Sequence, residues 1–335
     1  MIADLQLPRV LPSGLRDEDM VVVLMNMGGP KDIAGVEPFL RRIFNDRLII
    51  RFPFAQSLFA DLLIRSRLKS VQHRYGLIGG GSPILRSSLQ QADALRVELK
   101  KRGRGLDVQL AFNYSDPLPE EVITIIKEKK KKYALLLSLY PHFSHSTTAS
   151  SIFYLKEWAK KIYPELQFTT CLPYHLYEGY IQAFAHRIRE TLRPGEDLDD
   201  FYLLFSAHGT PVYFLNEGDP YTFLVNQTAS RITAQLNRPH QWAVCYQSDV
   251  GPMKWIKPST SDVLKVLGTR GVRKVIVVPV SFVSDHIETL CEIDMEYREM
   301  AQKEFGFTDF RMSKALECHP GFIAALADCV ERSLC

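Results

Sequence analysis

The sequence predicts an α/β protein made of two similar, doubly wound halves, each built on a parallel sheet. Three observations carry this expectation. Six apolar runs lack the polar alternation of a one-faced sheet: 20–27 (MVVVLMNM), 106–114 (LDVQLAFNY), 133–140 (YALLLSLY), 200–208 (DFYLLFSAH), 241–248 (QWAVCYQS) and 274–283 (KVIVVPVSFV). Helical patterns fill the intervals, as in 87–103 (SSLQQADALRVELKKRG) and 180–192 (YIQAFAHRIRETL). Strands of this kind, separated by helices, form parallel sheets covered on both faces. The order also repeats loosely. One strand exits through Asn26-Met27-Gly28-Gly29-Pro30 and a later one through Ala207-His208-Gly209-Thr210-Pro211, and 133–151 (YALLLSLYPHFSHSTTASS) resembles 275–290 (VIVVPVSFVSDHIETL) in layout.

Two Rossmann-like halves meeting near residue 185 are the simplest account: 1–185, carrying an apolar lip at about 49–68, and 186–335, carrying an acidic helix. An active-site cleft is expected between them, because such sheets bind ligands beyond the carboxyl ends of their strands, and each unusual motif here follows a strand.

Composition narrows the function. At 335 residues the chain can form two packed units, and 46% hydrophobic with 24% charged residues is an ordinary globular balance. A net charge of +3 gives no argument for nucleic acid as a partner. The lysine block 127–132 (KEKKKK) reads as a solvated helix end, where cations suit the dipole. No run approaches the roughly 18 apolar residues of a membrane span. Residues 1–20 lack the basic start and apolar core of a secretory signal, so a cytosolic protein is expected. Cys171, Cys245, Cys291, Cys318, Cys329 and Cys335 are scattered without a CxxC, which argues against a zinc ribbon or a disulfide framework.

In the segment 277–297 (VVPVSFVSDHIETLCEIDMEY) an apolar strand breaks into Ser284-Asp285-His286-Ile287-Glu288. Ser284 or Asp285 can cap the following helix. Glu288, Glu292 and Glu296 then recur at i, i+4 and i+8, one face of a helix at about 3.6 residues per turn. They form either a solvated face or an acidic row that delivers a divalent cation. The absence of Lys or Arg at the paired positions, and the start beside His286, favour the second.

His208 ends an apolar strand at Gly209, which aims its imidazole into the expected crevice as a structural group, a proton acceptor or a metal ligand. The glycines of 73–84 (HRYGLIGGGSPI) lack a phosphate-loop spacing. A tight turn or a close backbone approach suits them as well. The segment 49–68 (IIRFPFAQSLFADLLIRSRL) is dense in Phe and Leu, for buried packing or for an exposed lip against a membrane surface or an apolar ligand.

Taken together, LMNMGGP, YGLIGGGSPI, YPHFSHSTTASS, LLFSAHGTP with its trailing GDPY, YQSDVGPMKW and FVSDHIETLCEIDMEY resemble the ferrochelatases, the last enzymes of heme synthesis, in the family's own order from about residue 20 to 330. The apolar lip, Tyr75 and IGGGSP resemble the protoporphyrin-using bacterial and mitochondrial branch. The resemblance implies a chelatase-like fold, a lyase that inserts Fe2+ into protoporphyrin IX to give protoheme, and no cofactor beyond that substrate iron. It implies that His208 and Glu288 are catalytic and metal-handling residues facing each other across the macrocycle. Met27 would lie on the opposite side of the ring, and Glu292 and Glu296 would continue the metal path on a helix with a π-type segment. It places Arg67, Tyr75, Ser82, Trp255, Phe282 and His286 at the porphyrin, and it implies weak membrane-surface contact through the lip, at the inner membrane, and contact with other heme-pathway enzymes.

Two departures qualify the match. His145 stands where animal enzymes have a cysteine, and Cys318, Cys329 and Cys335 do not reproduce their close cysteine trio, so an iron–sulfur cluster of that type is not expected. Asn113 replaces an arginine, while Tyr114 is kept. A tetrapyrrole carrier without insertion activity and a chelatase loading cobalt or nickel into another tetrapyrrole are the competing readings.

Overall fold

A computed structural model describes residues 14–51, 55–237, 241–249 and 253–334. All six apolar runs form strands: β1 Met20–Asn26, β2 Asp107–Phe112, β3 Tyr133–Ser138, β5 Tyr202–His208, β6 Trp242–Gln247 and β7 Lys274–Pro279. Two more, β4 Gln167–Thr170 and β8 Asp309–Met312, are four-residue edge strands too short to leave a periodic pattern in the sequence. Every pairing is parallel, in the orders β2-β1-β3-β4 and β6-β5-β7-β8. These are two copies of one topology. Central strand β1 is buried along its whole length, as its unbroken MVVVLMN requires for a strand covered on both faces.

The repeat holds at the level of register. In the first sheet Met25 pairs with Ser138 and its carbonyl accepts the Leu139 N–H at 2.9 Å. In the second, Ser206 pairs with Pro279 and its carbonyl accepts the Val280 N–H at 3.0 Å. Counting two residues on from these equivalent bridges reaches Met27 in one sheet and His208 in the other.

The expected boundary at 185/186 falls inside the helix Glu178–Arg189. The chain divides instead at Tyr174/His175, and the segment from Phe322 onward rejoins the first unit. The helix Pro320–Arg332 explains this return. Its Asp328 and Glu331 take the Arg102 guanidinium at 2.6 and 2.8 Å, the Cys329 thiol donates to the Leu172 carbonyl at 3.1 Å, and Phe322 packs on Tyr174. A sequence pattern shows that this helix is amphipathic but not which core receives it.

The lysine block closes the helix Pro119–Glu128, with Lys129 on Asp107 and Lys132 on Asp19, as a solvated helix end should. The lip segment becomes the helix Gln56–Leu77; Phe52, Pro53 and Phe54 lie outside the described residues. The helix has a buried face and an exposed apolar one. Ala60 and Ile64 are buried, whereas Leu58 and Leu62 are 69% and 65% exposed. Among the described residues no helix is long and apolar enough to cross a membrane.

The glycine run serves backbone approach rather than phosphate. Gly79 and Gly80 hold left-handed φ of 101° and 91°, and the Gly80 N–H caps the helix end on the Tyr75 carbonyl at 2.8 Å. Ser82 N–H then donates to the Pro30 carbonyl at 2.8 Å, and a Cβ on Gly81 would meet the Lys31 carbonyl oxygen at 2.2 Å. Gly81→Ala should therefore destabilise the fold by about 1–3 kcal/mol through overpacking. Gly76→Ala, where a Cβ meets nothing within 4 Å, should be neutral or slightly stabilising. Urea denaturation of both variants checks this, and equal effects would contradict it.

Edge strand β8 is tied down by Arg311, whose guanidinium meets Glu196 at 2.5 and 2.6 Å and also Asp309. The Arg311 hydrogen bonds hold the Glu196 carboxyl down to about 2, against an ordinary 4.5. A depressed folded-state value means that this stabilisation is complete above the unfolded value and fades as pH falls from about 4.5 toward 2. The acid limb of a stability–pH profile should accordingly be steeper for the native chain than for Glu196→Gln, and identical limbs would refute it.

Candidate active site

In the second unit the site grows from the carboxyl ends of β5 and β7. Pro279 has no N–H to continue the ladder, so the predicted strand 274–283 stops there and the Phe282 N–H closes a turn onto its carbonyl at 3.2 Å. The turn lifts Ser281 to His208. Ser281 Oγ accepts the His208 backbone N–H at 3.0 Å, and Tyr221 Oη donates to the His208 carbonyl at 3.0 Å. Burial pushes the Tyr221 phenol well above its ordinary value, which keeps the proton it donates. Both backbone groups of His208 are thus held.

The His208 imidazole is oriented as firmly as its backbone. Its Nδ1 lies 2.5 Å from the Gly209 carbonyl oxygen, which can only accept, so Nδ1 carries a proton and in the neutral imidazole the lone pair falls on Nε2. Trp255 and Phe282 stand edge-on to the ring, each with centroids 6.3 Å away. Trp255 is positioned by an antiparallel bridge to Pro211, with Val212 N–H on the Lys254 carbonyl at 2.8 Å. Gly209 permits this closeness, since a Cβ there would sit 2.8 Å from the Gln247 carbonyl oxygen and 3.3 Å from the Trp255 ring.

Phe282 also stacks on His286, with centroids 4.0 Å apart. His286 repeats the His208 pattern: Nδ1 donates to the Ser284 carbonyl at 3.1 Å. Its Nε2 lies 3.1 Å from Glu288 Oε2, at ion-pair distance but off the in-line hydrogen-bond direction. His286 is 2% exposed, so the imidazole side of this contact is closed to solvent. Glu288, at 25% exposed, is the member that reaches solvent.

The sequence reading grouped Glu288, Glu292 and Glu296 on one α-helical face. Residues Glu288–Tyr297 instead form a π-helix, as the family resemblance implied, so partners stand five apart rather than four. The Tyr297 hydroxyl donates to Glu292 Oε1 at 3.0 Å, and the Cys291 thiol lies 3.6 Å from Glu296 Oε1. Burial and the adjacent Glu292 charge push the Tyr297 phenol up and hold it as a donor. Ser248, in a left-handed backbone with φ 71°, gives Glu292 its N–H at 2.9 Å and its hydroxyl at 2.6 Å. Glu292 therefore takes three donors. Neither Ser284 nor Asp285 caps the helix as expected, since the N-cap is Ile287 without a side-chain cap; Asp285 instead accepts the Thr289 hydroxyl at 3.0 Å, while Thr289 Oγ1 receives the His286 N–H at 3.0 Å.

The structure thus gathers His208, Trp255, Phe282, His286 and Glu288 into one chain of contacts, in which Glu288 meets His286. Sequence reasoning missed Ser281, Ser248 and Tyr297 as supports, because a lone serine or tyrosine carries no spacing signal; Tyr221 was visible only as the end of GDPY. In the first unit, Met27 is half-buried at the exit of β1. Its N–H sits on Asn26 Oδ1 at 2.8 Å and its carbonyl accepts the Tyr114 N–H at 3.0 Å. Ser82 joins this exit loop through Pro30, Tyr75 is buried at the end of the long helix, and Arg67 lies about two turns earlier, half-buried. Among the described residues no group of three or more His, Cys, Asp or Glu side chains could hold a metal ion. Cys335, one of the three tail cysteines, is outside them.

A family model described as Ferrochelatase matches residues 19–334. Relatives named ferrochelatase include those of Cyanothece sp. (strain PCC 7425 / ATCC 29141), 42% identical over 93% of this chain and 82% of its own, and Synechocystis sp. (strain ATCC 27184 / PCC 6803 / Kazusa), with the same identity and shares. Among solved structures, the sirohydrochlorin chelatase SirB from Bacillus subtilis subspecies spizizenii in complex with cobalt is similar in fold, with a TM-score of 0.52 at 14% identity over 94% of both chains. SirB from Bacillus subtilis with Fe3+ gives 0.51 at 16% identity over 73% of this chain and 90% of that one.

The two carbonyl contacts make a direct prediction. Nitrogen NMR of histidine-labelled protein under mildly alkaline conditions should report the Nδ1–H tautomer at both His208 and His286. An Nε2–H signal at either would overturn the assignment.

Proposed function

The chain belongs to the ferrochelatase family and is a metal chelatase of heme biosynthesis, and on that premise we propose that it inserts Fe2+ into protoporphyrin IX to form protoheme, the pathway's final step. Insertion requires that two pyrrole N–H protons leave, that the ion shed its water, and that the ring turn its nitrogen lone pairs toward the metal. The observation that carries the reading is the fixed His208 imidazole, with Nδ1 on the Gly209 carbonyl, Trp255 and Phe282 edge-on to the ring, and Nε2 able to carry a lone pair. Such a nitrogen can accept a pyrrole proton or meet the iron.

His286 and Glu288 continue from there. In this reading protons leave the ring past His286 and pass to solvent through the partly exposed Glu288. Fe2+ would approach by Glu296 and Glu292, oxygen ligands that hold a hard ion loosely enough to release it. The Ser248 and Tyr297 donors on Glu292 must yield for that to happen. On the porphyrin side, Met27, Arg67, Tyr75 and Ser82 join Trp255, Phe282 and His286 as binding residues. Apolar contacts that hold the macrocycle nonplanar would supply strain of about 1–5 kcal/mol toward insertion. No resident cofactor is needed. Leu58 and Leu62, both strongly exposed on one helix, support a cytoplasmic enzyme that touches the inner face of the membrane and receives an apolar ring there.

Anaerobic absorption spectroscopy with protoporphyrin IX and Fe2+ tests the reading. His208→Ala and Glu288→Gln should each lower the insertion rate by about 10²–10⁴-fold, the usual contribution of positioned acid–base groups, while porphyrin binding followed by fluorescence stays within a few-fold. Binding without insertion by the native chain, for coproporphyrin III as well, would leave a carrier instead.

A further inference from the structure

The loop that follows β8 reaches back to the residues that carry His286. Glu317 holds a left-handed backbone, φ 48°, and its N–H donates to the Val283 carbonyl at 2.8 Å. Its side-chain Oε1 accepts the Asp285 N–H at 2.9 Å. One residue therefore brackets Ser284, and the Ser284 carbonyl is the acceptor that orients His286. The loop is itself anchored. The carbonyl of fully buried Leu316 accepts the Arg187 guanidinium at 3.2 Å and the His319 N–H at 2.8 Å, and the Ser313 N–H bonds the Val277 carbonyl at 2.9 Å.

A left-handed glutamate is uncommon, because only glycine, and to a lesser degree Asn or Asp, tolerates that region readily. Loop closure alone would be served better by glycine. What glycine lacks is the carboxylate oxygen that meets Asp285. We propose that Glu317 is a positioning residue for metal insertion: by holding Val283 and Asp285 it fixes the Ser284 carbonyl, and through it the imidazole that faces Glu288. The proposal rests on the proposed placement of His286 and Glu288 at the insertion site, and it adds a residue from outside every motif that identified the site.

Glu317→Gly separates this role from a structural one. The variant relieves the left-handed backbone while removing the acceptor. Anaerobic insertion of Fe2+ into protoporphyrin IX is measured for the native chain, Glu317→Gly, Glu317→Ala, Glu317→Gln and Glu288→Gln, with thermal midpoints and porphyrin affinity by fluorescence quenching. We expect kcat to fall about 10–100-fold in the Gly and Ala variants, the usual size of outer-partner effects. Porphyrin affinity should stay within about twofold, and the Gly variant should be no less stable than the native chain. Glu317→Gln, which keeps an oxygen acceptor, should restore most of the rate. Native kcat in Glu317→Gly overturns the proposal, as does a Gln variant as slow as Ala, which would make charge rather than the hydrogen bond the active feature. Native insertion by Glu288→Gln would instead sink the site reading on which the proposal stands.

Discussion

A backbone carbonyl can only accept a hydrogen bond, and two of them set the chemistry of this site. The Gly209 and Ser284 oxygens each claim the Nδ1 proton of a neighbouring imidazole, so His208 and His286 both turn Nε2 away from the backbone that holds them. Everything around them keeps those carbonyls in place. Glycine at 209 lets the strand end approach Gln247, Ser281 and Tyr221 hold the backbone on either side of His208, and Glu317 brackets Ser284. The titratable groups are few; most of the machinery is backbone geometry.

The two units are equivalent in topology and in register, yet they end differently. At the same distance past equivalent bridges one offers Met27, a soft thioether with no proton to exchange, and the other offers His208. Both units also open a π-helical segment after their third strand, short at His145–Ala149 and longer at Glu288–Tyr297. A repeated fold has been given one apolar and one protonic terminus.

Much of this was legible in the sequence, for identifiable reasons. Central strands such as β1 and β7 are apolar on both faces and long enough to stand out, whereas β4 and β8 are four-residue edges without a pattern. The motif residues His208, Phe282, His286 and Glu288 stood out because histidine and glutamate are conspicuous at an apolar strand end. Their neighbours did not, since Ser281 acts through one hydroxyl, Ser248 through a hydroxyl and a backbone N–H, and Glu317 lies about thirty residues away along the chain. The acidic ladder was grouped by α-helical spacing, and a π-helix re-pairs Glu292 with Tyr297 in a way that α periodicity cannot predict. The unit boundary was missed because the last helix packs against a core made near the beginning of the chain.

That returning helix bears on the order of assembly. Since the segment from Phe322 onward belongs to the first unit, the second unit is an insertion within it. During synthesis the residues 175–321 are all available before the first unit has its final helix, so the later-encoded unit can be finished first. Until Pro320–Arg332 emerges, the partners of Asp328 and Phe322 wait uncovered, and the nascent first half is the part of the chain most in need of protection from aggregation.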